Sequence, residues 1–212
     1  MIPAAYSTTP EPDDGDRDEP IVLSGRLFGR GQTGIILAHM RPADQTSWFQ
    51  FATDVAATGG YTVLTFDFRG FGDSSGEKEF NRVDTDLEAA FKYMQDELGI
   101  RKVFLVGASM GGTASLLVAA RKDVAGVVSI SSPAVYLDID ALAVVSSIKA
   151  PKLFITSEDD VPAQRSQEQF WEQARDPKEQ EIFEGDGHGT DLFGTPAGAR
   201  LRARLLDFLT NH

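Results

Sequence analysis

Between Lys102 and Arg121 the chain runs for 18 residues, Val103 to Ala120, without a charge. A stretch of that kind is buried either as a membrane span, for which it sits at the lower length limit, or inside a protein core. Its middle decides between the two. Gly107-Ala-Ser109-Met-Gly111-Gly112-Thr113 is a poor helix interior, each glycine costing about 1 kcal/mol against alanine. The half before it, Val103 to Val106, is β-forming, and the half after it, Leu116 to Ala120, is helix-forming. The segment reads as buried strand, tight turn and buried helix, with no integral membrane segment.

A strand that is apolar on both faces belongs to a parallel sheet covered by helices. The rest of the sequence follows that plan. Strands are expected at Ile21–Phe28, Gly34–His39, Tyr61–Phe66, Val124–Ile130, Leu153–Thr156 and Glu181–Phe183. Between them lie helical stripes: Trp48, Ala52, Val55 and Ala56 behind an Asp44 cap; Val83, Leu87, Ala90, Phe91, Met94 and Leu98; and Gln164–Arg175. A last helix starts at Thr195-Pro196 and carries Leu201, Leu205, Phe208 and Leu209. The fold class is α/β: a three-layer sandwich with a mostly parallel sheet and helices on both faces. In such sheets the chemistry sits beyond the carboxyl ends of the strands.

Charge separates a tail from this domain. The net charge is −12, and residues 1–20 carry −5 of it, with six acidic residues against Arg17 and four of the ten prolines. That composition reads as a disordered, acidic, Pro-rich tail followed by one domain over residues 21–212. The tail lacks the basic-then-apolar layout of a signal peptide, so the reading is cytoplasmic; a secreted or tethered form would need a signal removed before Met1. The acidic balance argues against a nucleic-acid partner, which needs clustered Lys and Arg. No cysteine occurs, which excludes disulfides, thiolate metal sites and a thiol nucleophile. No cluster of metal ligands, phosphate-cradling loop or dinucleotide fingerprint appears, so neither metal nor cofactor is expected. Nothing in the sequence sets the oligomeric state.

Gly-x-Ser-x-Gly occurs twice, around Ser109 and around Ser74. A nucleophilic serine of this kind needs a sharp strand-to-helix turn, with small residues two before and two after it. Ser109 has the strand before it and the helix after it. Ser74 follows a polar loop and precedes Glu77-Lys-Glu79, and it reads as a turn residue. Ser109 is the candidate nucleophile.

Gly107-Ala-Ser109-Met-Gly111-Gly112, together with Asp67-Phe-Arg69-Gly70-Phe-Gly72-Asp-Ser74, resembles the α/β-hydrolase superfamily. The second stretch is similar to the loop after the fourth strand of its esterases and peptidases. The resemblance covers residues 21–212 and points to small, cap-less serine esterases of the carboxylesterase or dienelactone-hydrolase-like kind. It implies a sheet of about eight strands and a triad in the chain order serine, acid, histidine. Asp67 and Arg69 carry over only as structural loop residues.

Of the three histidines, His39 precedes the serine and His212 ends the chain, where it is expected to be solvated. His188, in Gly185-Asp-Gly187-His188-Gly189 after the last strand, has the general base's position. The acid should follow the strand Leu153–Thr156, where Glu158, Asp159 and Asp160 compete. The superfamily's Gly-x-x-Asp run aligns best with Asp160, although Ser157 replaces its glycine and leaves Asp159 open; Asp138 and Asp140 are a remoter alternative. For the oxyanion, one backbone donor is Met110, at the helix N-terminus. The other belongs to the loop after Gly34–His39, where His39-Met40-Arg41 replaces the superfamily's His-Gly; Met40 is favoured over Arg41.

Residues 133–150 leave room for one small apolar flap, Val135–Val145, and for no multi-helix cap. An open site of that kind suits a small-molecule ester with a small or medium acyl group. Other acyl hydrolases (peptidase, lactonase, thioesterase) and a non-catalytic binding module are the remaining readings.

Overall fold

The computed structural model describes residues 2–3 and 20–212. In chain order its strands and helices are β1 (Ile2–Pro3), β2 (Val22–Leu23), β3 (Gly25–Gly29), β4 (Thr33–Ala38), α1 (Phe49–Ala57), β5 (Tyr61–Phe66), α2 (Val83–Lys92), β6 (Lys102–Ala108) and α3 (Met110–Ala119). Then follow β7 (Gly126–Ile130), β8 (Val135–Tyr136), β9 (Ile139–Asp140), α4 (Leu142–Val145), β10 (Lys152–Ser157), α5 (Val161–Gln173), β11 (Lys178–Phe183) and α6 (Gly198–Asn211).

The uncharged stretch divides as its composition dictates. Its first part is β6, the middle strand of a seven-stranded sheet in the order β11-β10-β7-β6-β4-β5-β3. Its second part is α3, whose ten residues are all buried, as expected of a helix that is apolar all round. Only β3 runs antiparallel to its neighbour; every other pairing in this sheet is parallel. Against an expectation of about eight strands, the sheet has seven. The run expected as one strand over Ile21–Phe28 breaks at Ser24 into β2 and β3, and β2 pairs with Ile2–Pro3 instead. Those two residues fall within the expected tail, where the open edge of β2 offers them backbone partners. Its residues 1 and 4–19 lie outside the described residues.

Alternation along the strands builds two cores. Ile35, Leu37, Phe104, Val106, Leu153 and Ile155 face α1 and α6, and meet Trp48, Phe51, Leu201, Leu205 and Phe208. Ile36, Ala38, Val103, Leu105 and Phe154 face α2, α3 and α5, and meet Leu87, Phe91, Leu116 and Phe170. Burying one such side chain contributes roughly 1.5–3 kcal/mol, so the three layers hold through these two interfaces.

Local chemistry shifts the element boundaries. Asp44 does cap, accepting from the Thr46 amide at 2.8 Å, but it starts a short 3-10 turn before α1 begins at Phe49. Pro162, preset for a first helical turn, lets α5 begin at Val161 rather than Gln164. β11 begins at Lys178 and pairs with β10 over six residues; its Lys-Glu-Gln-Glu start is the charged dress of an edge strand and hides it from an apolar pattern. Residues 135–145 form only the β8–β9 hairpin and α4, so among the described residues no large cap covers the carboxyl ends of the strands. Among the described residues no helix is long and apolar enough to cross a membrane.

Candidate active site

The turn from β6 into α3 holds Ser109 at φ 49° and ψ −119°. A positive φ on a residue with a β-carbon costs of order 1–3 kcal/mol and persists only where the surroundings enforce it. Here the Ser109 amide donates to the Ile130 carbonyl at 2.7 Å, and the Ser109 carbonyl accepts from Gly112 and Thr113 at 2.9 and 3.0 Å. The flanking glycines are required sterically. A β-carbon at Gly107 would run into the Gly111 carbonyl, and one at Gly111 into the carbonyls of Ala38 and His39. Met110 opens α3, where first-turn amides have no intrahelical acceptor and carry the positive end of the helix dipole.

β4 lies beside β6, with Ala38 in register with Gly107, so the loop after β4 borders this turn. His39 is fully buried there. Its Nε2 accepts from the Phe68 amide at 3.1 Å, and its Nδ1 donates to the Met40 carbonyl at 2.9 Å. Because a peptide unit is planar and trans, the Arg41 amide faces away from the side on which that carbonyl meets the imidazole.

On the other flank, β10 and β11 deliver Asp160 and His188. His188 Nδ1 lies 2.6 Å from Asp160 Oδ2; the carboxylate side chain is 9% exposed and the imidazole 41%. The side chains of Glu158 and Asp159, both exposed, make no such contact among the described residues. Gly189, at φ 55°, packs against Ala108 and Met40, which brings the histidine loop onto both the serine turn and the β4 loop. Ser109, Met40, Met110, Asp160 and His188 are therefore drawn to one end of the sheet. The Ser109 hydroxyl makes no hydrogen bond among the described residues, so the serine–histidine link is not closed here. Such links are often long before substrate binds.

The remaining candidates have structural work. Ser74 Oγ donates to the Asp67 carbonyl at 2.6 Å and accepts from the Ser24 amide at 2.9 Å, as a turn residue would. Asp67 accepts from the Gln45 amide and side chain, both at 2.8 Å. Arg69 forms a forked pair with buried Asp86 and also reaches Glu79. Asp140 accepts from the Ala143 amide at the start of α4. His212, expected to be solvated, instead meets Glu179 at 2.9 Å and packs on Phe208, because α6 runs back along β11. Among the described residues no group of three His, Asp or Glu side chains forms a metal-ligand set.

Two residues escaped the sequence reading: His39, as the anchor between two loops, and Ser157, whose hydroxyl reaches the histidine loop. The sequence signal for Ser157 was its place where the superfamily has glycine.

Comparisons with known proteins agree with this fold. Residues 35–188 match the family described as alpha/beta hydrolase fold. The chain superposes on a monoacylglycerol lipase from Paleococcus ferrophilus with TM-score 0.78 at 18% identity, covering 90% of this chain and 99% of that one. It superposes equally on the Pyrococcus furiosus esterase Pf2001, TM-score 0.78 at 20% identity, covering 92% of this chain and 87% of that one. The alpha/beta hydrolase domain-containing protein aho-3 of Caenorhabditis elegans is 34% identical over 68 residues, which are 31% of this chain and 20% of that protein. The chain thus matches only about a fifth of the length of such curated relatives. By its family match, and with a fold and a serine turn that agree, the chain belongs to the alpha/beta hydrolase fold family.

Proposed function

We propose that this protein is a serine hydrolase that cleaves carboxylic esters of small to medium acyl chains through an acyl-enzyme. The observation that carries the reading is the strained Ser109 backbone at the head of α3, at the same sheet end as the 2.6 Å His188–Asp160 pair. A strained turn of this kind is costly, and at a strand-to-helix junction it presents a hydroxyl to a base. Esterase and lipase neighbours in fold support the same reading.

In the reaction, Asp160 keeps the His188 imidazole in the tautomer whose Nε2 is free to accept a proton. Ser109 Oγ attacks the ester carbonyl as its proton passes to Nε2, and a tetrahedral oxyanion forms. Collapse breaks the carbon–oxygen bond to the alcohol, which takes the proton from His188. Water, deprotonated by His188, then attacks the acyl-enzyme and releases the acid and Ser109. The oxyanion is held by two backbone amides, each lowering the barrier by roughly 3 kcal/mol. Met110 supplies one. The loop after β4 supplies the other, from Met40 in preference to Arg41.

The absence of a large cap over residues 131–150 supports short, unburied acyl chains rather than long ones. The test is hydrolysis of a nitrophenyl ester chain-length series. Rates are expected to peak at short acyl chains and to collapse in Ser109→Ala and His188→Ala. Full activity in Ser109→Ala would sink the mechanism. Turnover of amide, thioester or lactone substrates ahead of every ester would move the reading to another acyl hydrolase. No turnover of any of them, with no labelling of Ser109 by a fluorophosphonate, would leave a binding module.

A further inference from the structure

Ser157 is the last residue of β10, in register with Phe183 of β11. Strand alternation puts its side chain on the face shared by Leu153 and Ile155, the face covered by α6. The chain leaving β11 curls onto that same face, where Gly187 is buried against Leu192 and Thr195. There the fully buried Ser157 hydroxyl donates to the Gly187 carbonyl at 2.6 Å. Among the described residues no other donor reaches that carbonyl.

The Gly187 carbonyl belongs to the peptide unit whose nitrogen is that of His188. Fixing this carbonyl fixes the plane from which the imidazole projects. Two backbone bonds complete the strap: Glu158 N to the Phe183 carbonyl at 2.8 Å, and Asp159 N to the Gly185 carbonyl at 2.9 Å. Three consecutive residues, from the end of β10 into the acid loop, are thereby tied to the end of β11 and the histidine loop, and the next residue, Asp160, meets His188 itself. Of the three ties only the Ser157 bond depends on a side chain, so it is the one that substitution can remove.

We infer that Ser157 is a positioning residue, whose hydroxyl acts through the Gly187 carbonyl to hold His188 Nδ1 against Asp160. Glycine or alanine at 157 leaves a buried carbonyl without its donor, a state that a mobile loop relieves by turning away. The kinetic side of this inference rests on the proposed role of His188 as general base; the geometric side does not.

The experiment compares the full chain with Ser157→Ala and Ser157→Gly. Both are smaller than serine, and thermal unfolding identifies the variants that are folded at the assay temperature. On short nitrophenyl esters kcat is expected to fall about 10–100-fold with KM within about twofold, the mark of a misplaced catalytic group rather than lost binding. In proton NMR the strongly deshielded His188 Nδ1 proton, assigned by its loss in Asp160→Asn, is expected to broaden or vanish in both variants. A folded variant with kcat within about twofold of wild type, or with that proton unchanged, overturns the inference. Should the wild type hydrolyse no ester, the proposed function fails, while the proton still decides whether Ser157 sets the histidine.

Discussion

His39 Nε2 accepts a hydrogen bond from the Phe68 backbone amide at 3.1 Å, with both residues fully buried. An accepting Nε2 carries no proton, so the ring hydrogen sits on Nδ1, toward the Met40 carbonyl. One neutral imidazole thus joins the loop after β4 to the loop after β5, and a second proton would break the first of these bonds.

That relationship makes stability depend on pH. Burial is the largest influence on His39 and holds its pKa below the ordinary 6.5, against the opposing pull of the Met40 carbonyl, Asp67 and Asp44. Below pH 6.5 the unfolded chain therefore takes up a proton that the native chain refuses. The His39 contribution is complete above that pH and is lost progressively as pH drops toward the lowered native value. The melting temperature is expected to decline from about pH 7 to about pH 5, and less steeply in His39→Gln. An equal slope in the variant would show that other groups set the acid sensitivity.

Asp159 and Asp160 are neighbours in sequence with opposite surroundings. Asp160 holds His188 at 2.6 Å, whereas Asp159 is exposed and contributes its backbone amide to Gly185. Asp160→Asn is expected to lower kcat by roughly three to four orders of magnitude, since the asparagine favours the wrong imidazole tautomer. Asp159→Asn should leave kcat within about twofold, because it keeps that amide. Matched kinetics on one ester decide the assignment; equal losses would return the acid's identity to question.

Arg69 and Asp86 tie the loop after β5 to α2 through a forked pair that is almost wholly buried, with Arg69 also donating its amide to Asp86 at 2.9 Å. Removing one partner strands a buried charge, which costs about 3–5 kcal/mol. Asp86→Asn should fall near the lower end, because Glu79 still faces the guanidinium. Urea unfolding measures this directly, and a loss under about 1 kcal/mol would mean the pair is dispensable.

Gly111 is held against the Ala38 and His39 carbonyls, neither of which is the free end of a flexible side chain. Gly111→Ala is expected to cost about 1–3 kcal/mol in overpacking and to displace the β4 loop from the serine turn. Activity should fall further than stability does. The readouts are denaturant unfolding and the rate of fluorophosphonate labelling at Ser109. Wild-type values of both would mean that the backbone there yields freely.

What the sequence by itself determined was the plan along the chain. The uncharged run at 103–120 had to become β6 and α3, because its residue types leave no other buried arrangement. Alternation and helical spacing marked most of the remaining elements, since burial of one face leaves a period in the sequence. Local signals also separated Ser109 from Ser74, because only one of the two has a strand before it and a helix after it. The boundaries of β11 were hidden, as an edge strand's stability comes from a neighbour that no local pattern reveals.

Only the tertiary structure could bring together residues that are far apart in the chain. The contact between His188 and Asp160 arises because β10 and β11 are adjacent and parallel, which no reading of residues 158–160 alone could settle. The same adjacency gives Ser157 its carbonyl partner and turns His39 from a loop residue into a buried link. Hydrogen bonds of this kind are fixed by direction and distance in space. A sequence records which groups can make them, while the packing of the sheet decides which pairs meet.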